Sequence, residues 1–339
     1  MEYIITDSDR MAIGYLNDMT SIDIDIGETN DFELMLSRSY AERLGVGRGS
    51  QFFVPGTEFG GIIEDIQSDT SYSGITYRGY TWRGFLDQII LQPPTGQAYL
   101  TVSGDANQII RQVLGNGLGL LFEVPKEISG INISRYQFRY DTALSGLSKM
   151  LEKQGARLNI KTLEGMNHDP FRVLVSAVKA SNYSEELQYD GDDNINVTVR
   201  DYGRGINHLI CLGAGELAER TVIHLYAQLD GSIGTKQYYK GIDERTAVYD
   251  YSSVTDDAEL LSAGTEHLKE LMDYRAAEMS IDEVNLEIGD IVSARDRGTK
   301  IMLSRPVTNK VLEYANGIEI ITHKLKGQQE TSYEKSTLN

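Results

Sequence analysis

The run Ile22-Asp23-Ile24-Asp25-Ile26 alternates apolar and polar side chains with a period of two. That spacing fits an extended strand with one buried face and one wet face, because successive side chains of a strand point to opposite sides. Phe32-Glu33-Leu34-Met35-Leu36 nearly repeats it, with Gly27 to Asp31 supplying the turn between. Further β runs at Gln51 to Val54, Gly60 to Ile66 and Ile75 to Tyr80 are bounded by Gly, Pro, Ser or Asp, the punctuation of a small antiparallel barrel or sandwich. Residues 1–92 therefore read as one β domain.

Pro93-Pro94-Thr95-Gly96 ends this texture, since two prolines fix φ and remove two donors. Beyond it, Asp105 is placed to cap a helix carrying Ile109, Ile110, Val113 and Leu114 and stopped by Gly115. Asp141 is placed to cap a second, with Leu144, Leu147, Met150 and Leu151 inward and Gly155 as its stop. Arg157 to Thr162 and Phe171 to Ala177 read as a hairpin, which makes residues 95–190 an α+β domain.

From residue 194 the β texture returns: Ile195 to Val199, His208 to Leu212, and Thr221 to Leu229 running into an Asp230-Gly231 turn. Asp256 with Glu259 resembles a capping box opening a long helix, with Leu260, Leu261, Leu268, Leu271 and Met272 near one face through about Glu278. Strands resume at Gly289 to Arg295 and Met302 to Val311, then form a hairpin across Asn316-Gly317 that ends near Leu325. Weak parallels between Leu44 to Gly79 and Leu286 to Lys324 point to two β-barrels of similar build. The expected fold is α+β and β-dominated: barrels at 1–92 and at 194–220 with 282–325, an α+β domain between them, and an α/β insertion at 221–281. Residues 326–339 are polar with almost no apolar anchor and read as a mobile tail, or one that folds on a partner.

The 339 residues carry 32 Lys+Arg against 50 Asp+Glu, a net charge of −18. That balance opposes a broad phosphate-gripping surface, because nucleic-acid affinity rests on Lys and Arg displacing counterions. Cys211 is the only cysteine, so an internal disulfide and Cys-rich zinc modules are excluded. The N-terminus lacks a basic stretch followed by an apolar one, and apolar clusters such as Leu118 to Phe122 are too short to span a bilayer. Synthesis in the cytoplasm without a signal peptide and no membrane segment are expected. The sequons at Asn132, Asn182 and Asn196 then read as chance matches.

Catalytic signatures are weak. There is no Gly-x-Ser-x-Gly elbow, P-loop or His-Glu-x-x-His. His168, His208, His224, His267 and His323 are scattered without a metal-binding spacing, and His208 and His224, in β runs, read as structural. Asp190-Gly191-Asp192-Asp193-Asn194 has the look of a calcium loop, but Ile195 stands where glycine is needed and Asp201 where a bidentate Glu is needed, so it reads as a boundary turn. Gly115-Asn116-Gly117-Leu118-Gly119 follows a helix instead of opening one and reads as a stop, not a phosphate loop. Asp192/Asp193 and Asp256/Asp257 offer carboxylate pairs of the kind glycoside hydrolysis uses, though 50 acidic residues supply such pairs by chance. The 20 tyrosines, Tyr238-Tyr239, Tyr249 and Tyr251 among them, suit interfaces. No catalytic, cofactor-binding or metal residue is assigned.

Ile75-Thr76-Tyr77-Arg78-Gly79-Tyr80-Thr81-Trp82-Arg83-Gly84-Phe85-Leu86 followed by Pro93-Pro94 resembles the barrel-closing segment of the long-tailed (siphophage) tail-associated baseplate hub family. Leu212-Gly213-Ala214-Gly215-Glu216, Arg220, Val222 to Tyr226, Gly241 to Arg245, Tyr249-Asp250-Tyr251 and Ile288 to Asp296 follow that family's order and spacing, over roughly residues 2–325.

The resemblance implies a structural protein at the virion tail tip, similar to contractile-tail hub proteins. Two barrels per chain would assemble as a homotrimer with pseudo-sixfold symmetry, adapting a sixfold tail to a threefold tip. Implied partners are the distal tail protein ring, the tape-measure protein C-terminus, and DNA in transit through the channel. Family members often extend into a peptidoglycan hydrolase or fibre; this chain stops at Asn339, so no lytic activity is carried over and a separate tip, fibre or receptor-binding protein is expected. An acidic lumen would repel phosphates during ejection. The alternatives are a β-rich glycan binder or hydrolase, and the equivalent hub of a phage-derived bacteriocin or injection machine.

Overall fold

In the strand Met19–Ile26, Ile22, Ile24 and Ile26 are buried while Asp23 and Asp25 occupy the opposite face, as the alternation requires. The computed structural model describes residues 1–16, 19–68, 74–115, 119–165, 169–183, 188–189, 196–201, 205–228, 232–272, 275–280, 286–295 and 302–325. Strands outnumber helices, so the fold is α+β with β structure dominant. The chain divides into one unit comprising Met1–Val197, Met279–Ala294 and Ser304–Leu325, and a second built around Thr198–Glu278.

The larger unit contains two packed sheets. In the first, Ala12–Tyr15, Ile4–Thr6, Gln51–Phe53 and Gly60–Ile62 are neighbours in that order. In the second, the antiparallel run is Ile318–Leu325, Asn309–Ala315, Met19–Ile26, Asp31–Ser37, Gly74–Tyr80 and Asp65–Ser68. Ile5, Phe52 and Val54 from one side meet Ile22, Ile24, Leu34, Leu36, Tyr77 and Leu312 from the other, with Phe32 edge-on to Phe52 at 4.7 Å. No closed barrel is found among the described residues.

The chain passes between the sheets where a single strand over Gly60 to Ile66 was expected. Ile63 N–H donates to the Ser50 carbonyl and Glu64 N–H to the Arg78 carbonyl, so the run splits into Gly60–Ile62 and Asp65–Ser68. A second expected strand, Met302 to Val311, is likewise two, because Pro306 lacks the donor to continue. The hairpin across Asn316-Gly317 forms as expected, with φ of 54° and 79° in the left-handed region that this turn needs. Trp82 to Leu86, expected as part of the barrel-closing run, is instead a short helix, Trp82–Asp87. Thr81 ends the strand by donating both N–H and Oγ to the Asn30 carbonyl.

Residues 91–179 of this unit surround a second core. Helix Ala106–Leu114 is capped by Asp105, whose carboxylate accepts from Asn107, Ser129 and Gly130 N–H and from Ser129 Oγ. Burial works to raise this carboxyl, but those four hydrogen bonds prevail and hold it below the usual range. The cap of helix Ala143–Glu152 is Thr142 and not Asp141: Thr142 Oγ1 accepts from Ser145 N–H at 3.1 Å. The expected hairpin is present, Ala156–Leu163 against Arg172–Lys179.

In the smaller unit, Ile233–Gly234, Val222–Ala227, His208–Leu212 and Thr246–Asp250 form a four-stranded sheet in that order, with the last strand parallel to its neighbour. Helix Asp257–Met272 covers the face carrying Leu209, Cys211 and Leu225, with Leu260 and Leu268 inward. Gly264 lets the backbone approach closely, since a Cβ there would stand 2.4 Å from Cys211 Sγ; burial pushes the Cys211 thiol up. Asp256 caps the helix through Ala258 N–H. The helix ends at Met272, short of the expected Glu278, and Arg275–Ser280 is a strand, sheet pairing overriding its helix-favouring composition.

One buried group makes the larger unit acid-sensitive. His323 donates from Nε2 to the Leu286 carbonyl at 3.2 Å, while its Nδ1 is buried without a partner. Burial and the nearby Lys310 ammonium push its pKa down from 6.5 to about 4. Between those values the unfolded chain takes up a proton that the native state refuses. Stability present above pH 6.5 is therefore lost as pH falls toward 4, by roughly 3 kcal/mol in all. Urea midpoints at pH 7.5 and 4.5 test this: His323→Leu should show a clearly smaller pH difference than the parent chain, and an equal difference would refute the assignment.

Candidate functional site: an acidic sheet face

The solvent face of the larger sheet gathers the polar half of each alternating strand. Register places Glu313 opposite Asp23, Asp23 opposite Glu33, Glu33 opposite Arg78 and Arg78 opposite Asp65, one row across five strands. Asp25 and Asp31 flank that row, and a shallow depression is lined by Asp23, Asp25, Asp31, Glu33 and Glu313 together with the cations Arg78 and Lys324. Arg78 Nε donates to Glu33 at 2.7 Å, and its Nη1 lies 3.6 Å from Asp65. The Glu33 hydrogen bond, ahead of the attraction of both carboxylates, holds the guanidinium above its ordinary pKa.

Arg78 and Lys324 balance part of this charge, while the cross-strand partners of Asp23 are both carboxylates, Glu313 and Glu33. Burial, followed by the repulsion of Glu313, Asp25, Asp31 and Glu33, raises the Asp23 pKa. Such a face disfavours phosphate polymers and accepts basic segments.

The structure treats the other sequence candidates differently. Asp190 to Asn194, Asn116 to Leu118, His168, the Asp230-Gly231 turn and residues 326–339 lie outside the described residues. Asp256 is engaged as a helix cap and Asp257 opens the helix, so this pair frames no cleft. Tyr238 and Tyr239 stack edge to face at 5.0 Å, and Tyr249 lies 5.8 Å from Tyr251 and 4.6 Å from His267. His208 and His224, distant in sequence pattern, meet at 2.8 Å. Among the described residues no group of three or more His, Cys, Asp or Glu is arranged to hold a metal, and no helix is long and apolar enough to cross a membrane. The acidic row itself went unread: the polar positions of single strands were visible, but their cross-strand alignment with Glu313 was not.

No family model matches the sequence, and no curated protein matches it. Solved structures do match, end to end. The prophage MuSo2 43 kDa tail protein from Shewanella oneidensis is 13% identical, with a TM-score of 0.59 over 96% of this chain and 98% of that one. The tail protein from Neisseria meningitidis MC58 is 12% identical, with a TM-score of 0.56 over 96% and 97%. The phage P2 baseplate in its activated conformation with Ca contains a chain 12% identical, with a TM-score of 0.51 over 97% and 99%. The fold of this chain is that of phage tail and baseplate proteins.

Proposed function

We propose that this chain is a structural baseplate hub at the tail tip of a phage, prophage or phage-derived particle. The observation that carries the reading is the end-to-end fold match, which extends over nearly the whole of both partners in each comparison. In this reading the chain forms a homotrimeric ring that adapts a sixfold tail to a threefold tip, docks on the distal tail ring and holds the tape-measure C-terminus. It acts by assembly and gating, without catalysis, and a separate protein supplies the tip or fibre.

The two-barrel plan belongs to the proposal as a set of modules: 1–92, 95–190, 194–220 with 282–325, an insertion at 221–281, and the 326–339 tail. It draws support from two hairpins lying side by side in one sheet, Met19–Ile26/Asp31–Ser37 and Asn309–Ala315/Ile318–Leu325. The acidic face supports a lumen that repels DNA in transit, because fixed carboxylates oppose phosphate adsorption.

Light scattering of the purified chain should give a mass near three times 37.8 kDa, or, mixed with its distal tail ring, a complex heavier than the ring by that amount. Antibody labelling of intact tails should mark the tip. A chain that stays monomeric with the ring, or labels elsewhere on the tail, would sink the reading.

A further inference from the structure

The smaller unit presents two imidazoles aimed at each other on the sheet face away from its helix. Register sets His208 opposite Tyr226 and Ile210 opposite His224, so the two histidines are diagonal neighbours on adjacent antiparallel strands. His208 Nε2 and His224 Nδ1 are 2.8 Å apart. On its other side His208 is fixed: Nδ1 lies 2.7 Å from Glu244 Oε1 and 3.1 Å from Thr246 Oγ1, and the Tyr226 ring stacks on it at 4.3 Å. His208 is 8% exposed, whereas His224 is open to solvent.

Glu244 holds a proton on Nδ1, so the lone pair of His208 is on Nε2, where it faces His224. A carboxylate behind an imidazole is the arrangement that orients metal-binding histidines and raises their basicity. When His224 carries its proton on Nε2, two lone pairs face one gap. A shared proton fills that gap in the hydrogen-bonded pair, and a metal ion competes for the same place.

We propose that His208 and His224 form a transition-metal clamp, with Glu244 as the positioning carboxylate and water completing the coordination. The 2.8 Å contact is a hydrogen-bond length, so two metal–nitrogen bonds of about 2.0–2.1 Å require the exposed His224 ring to turn while His208 stays fixed, and preference among ions follows the general order of imidazole sites, with Cu2+ above Ni2+ and Zn2+. This inference is independent of the tail reading.

Calorimetric titration of the untagged full-length chain with NiCl2 tests it. One site per chain is expected, with Cu2+ binding more tightly than Ni2+. His224→Gln, at an exposed position that leaves the core intact, should abolish the site, and Glu244→Gln should weaken it by about 10- to 100-fold without changing its stoichiometry. Absence of Ni2+ binding, or Ni2+ binding that His224→Gln leaves unchanged, would overturn the clamp.

Discussion

Replacing Trp82 with Ala lowers the unfolding free energy by about 3–5 kcal/mol, the range for truncating a buried aromatic residue in a core that cannot collapse around the space. Trp82 is fully buried. Its ring stands edge-on to Phe122 at 6.3 Å and tilted against Phe171 at 5.9 Å, and Phe171 stacks on Phe53 at 4.3 Å. Gly60 admits the indole, since a Cβ there would lie 2.7 Å from it. The cluster joins Ile4 and Phe53 of the small sheet to Leu86, Leu91, Val102 and Phe138, so the cavity would open where several elements meet. Urea unfolding followed by far-UV circular dichroism measures the loss; Trp82 is the only tryptophan, so tryptophan fluorescence cannot follow the variant. A loss below about 1 kcal/mol would show that the site relaxes and that the indole is not a keystone.

Glu58→Ala is expected to cost about as much for an electrostatic reason, roughly 3–5 kcal/mol. Glu58 and Arg83 form a bidentate pair, Nε to Oε1 and Nη2 to Oε2 at 3.2 Å, with their side chains 3% and 5% exposed. Removing the carboxylate strands a guanidinium that cannot shed its charge. Replacing both residues with apolar ones of similar size should recover most of the loss, because the pair itself pays a desolvation cost close to its Coulomb gain. A double-mutant cycle separates these effects. If Glu58→Ala is as stable as the parent, Arg83 has found water or another acceptor and the buried-pair account fails.

What the sequence disclosed was what short-range periodicity encodes. Ile22 to Ile26, the Asn316-Gly317 hairpin, the Asp105 cap and the Gly115 and Gly155 stops were legible because each depends on residues a few positions apart. The Thr142 cap was missed because Asp141 is an equally good capping residue one position away. The helix at Trp82–Asp87 was missed because its aromatic and aliphatic residues also fit a strand. The acidic row and the His208–His224–Glu244 group could not be read, since both depend on register between strands: Asp23 is aligned with Glu313, and His208 lies within reach of residues 16 and 36 positions away. The fold match to tail proteins at 12–13% identity shows the same division, a shared architecture at low sequence identity.

The pairing of Met19–Ile26 with Asn309–Ala315 has a kinetic consequence. During synthesis the early strand must wait, with one edge open, until residue 315 has left the ribosome. Contacts so distant in sequence slow folding, and an unpaired edge is a template for pairing with other chains. A nascent chain interrupted before that point carries an open sheet edge, so interrupted translation is expected to favour pairing with other chains over native folding.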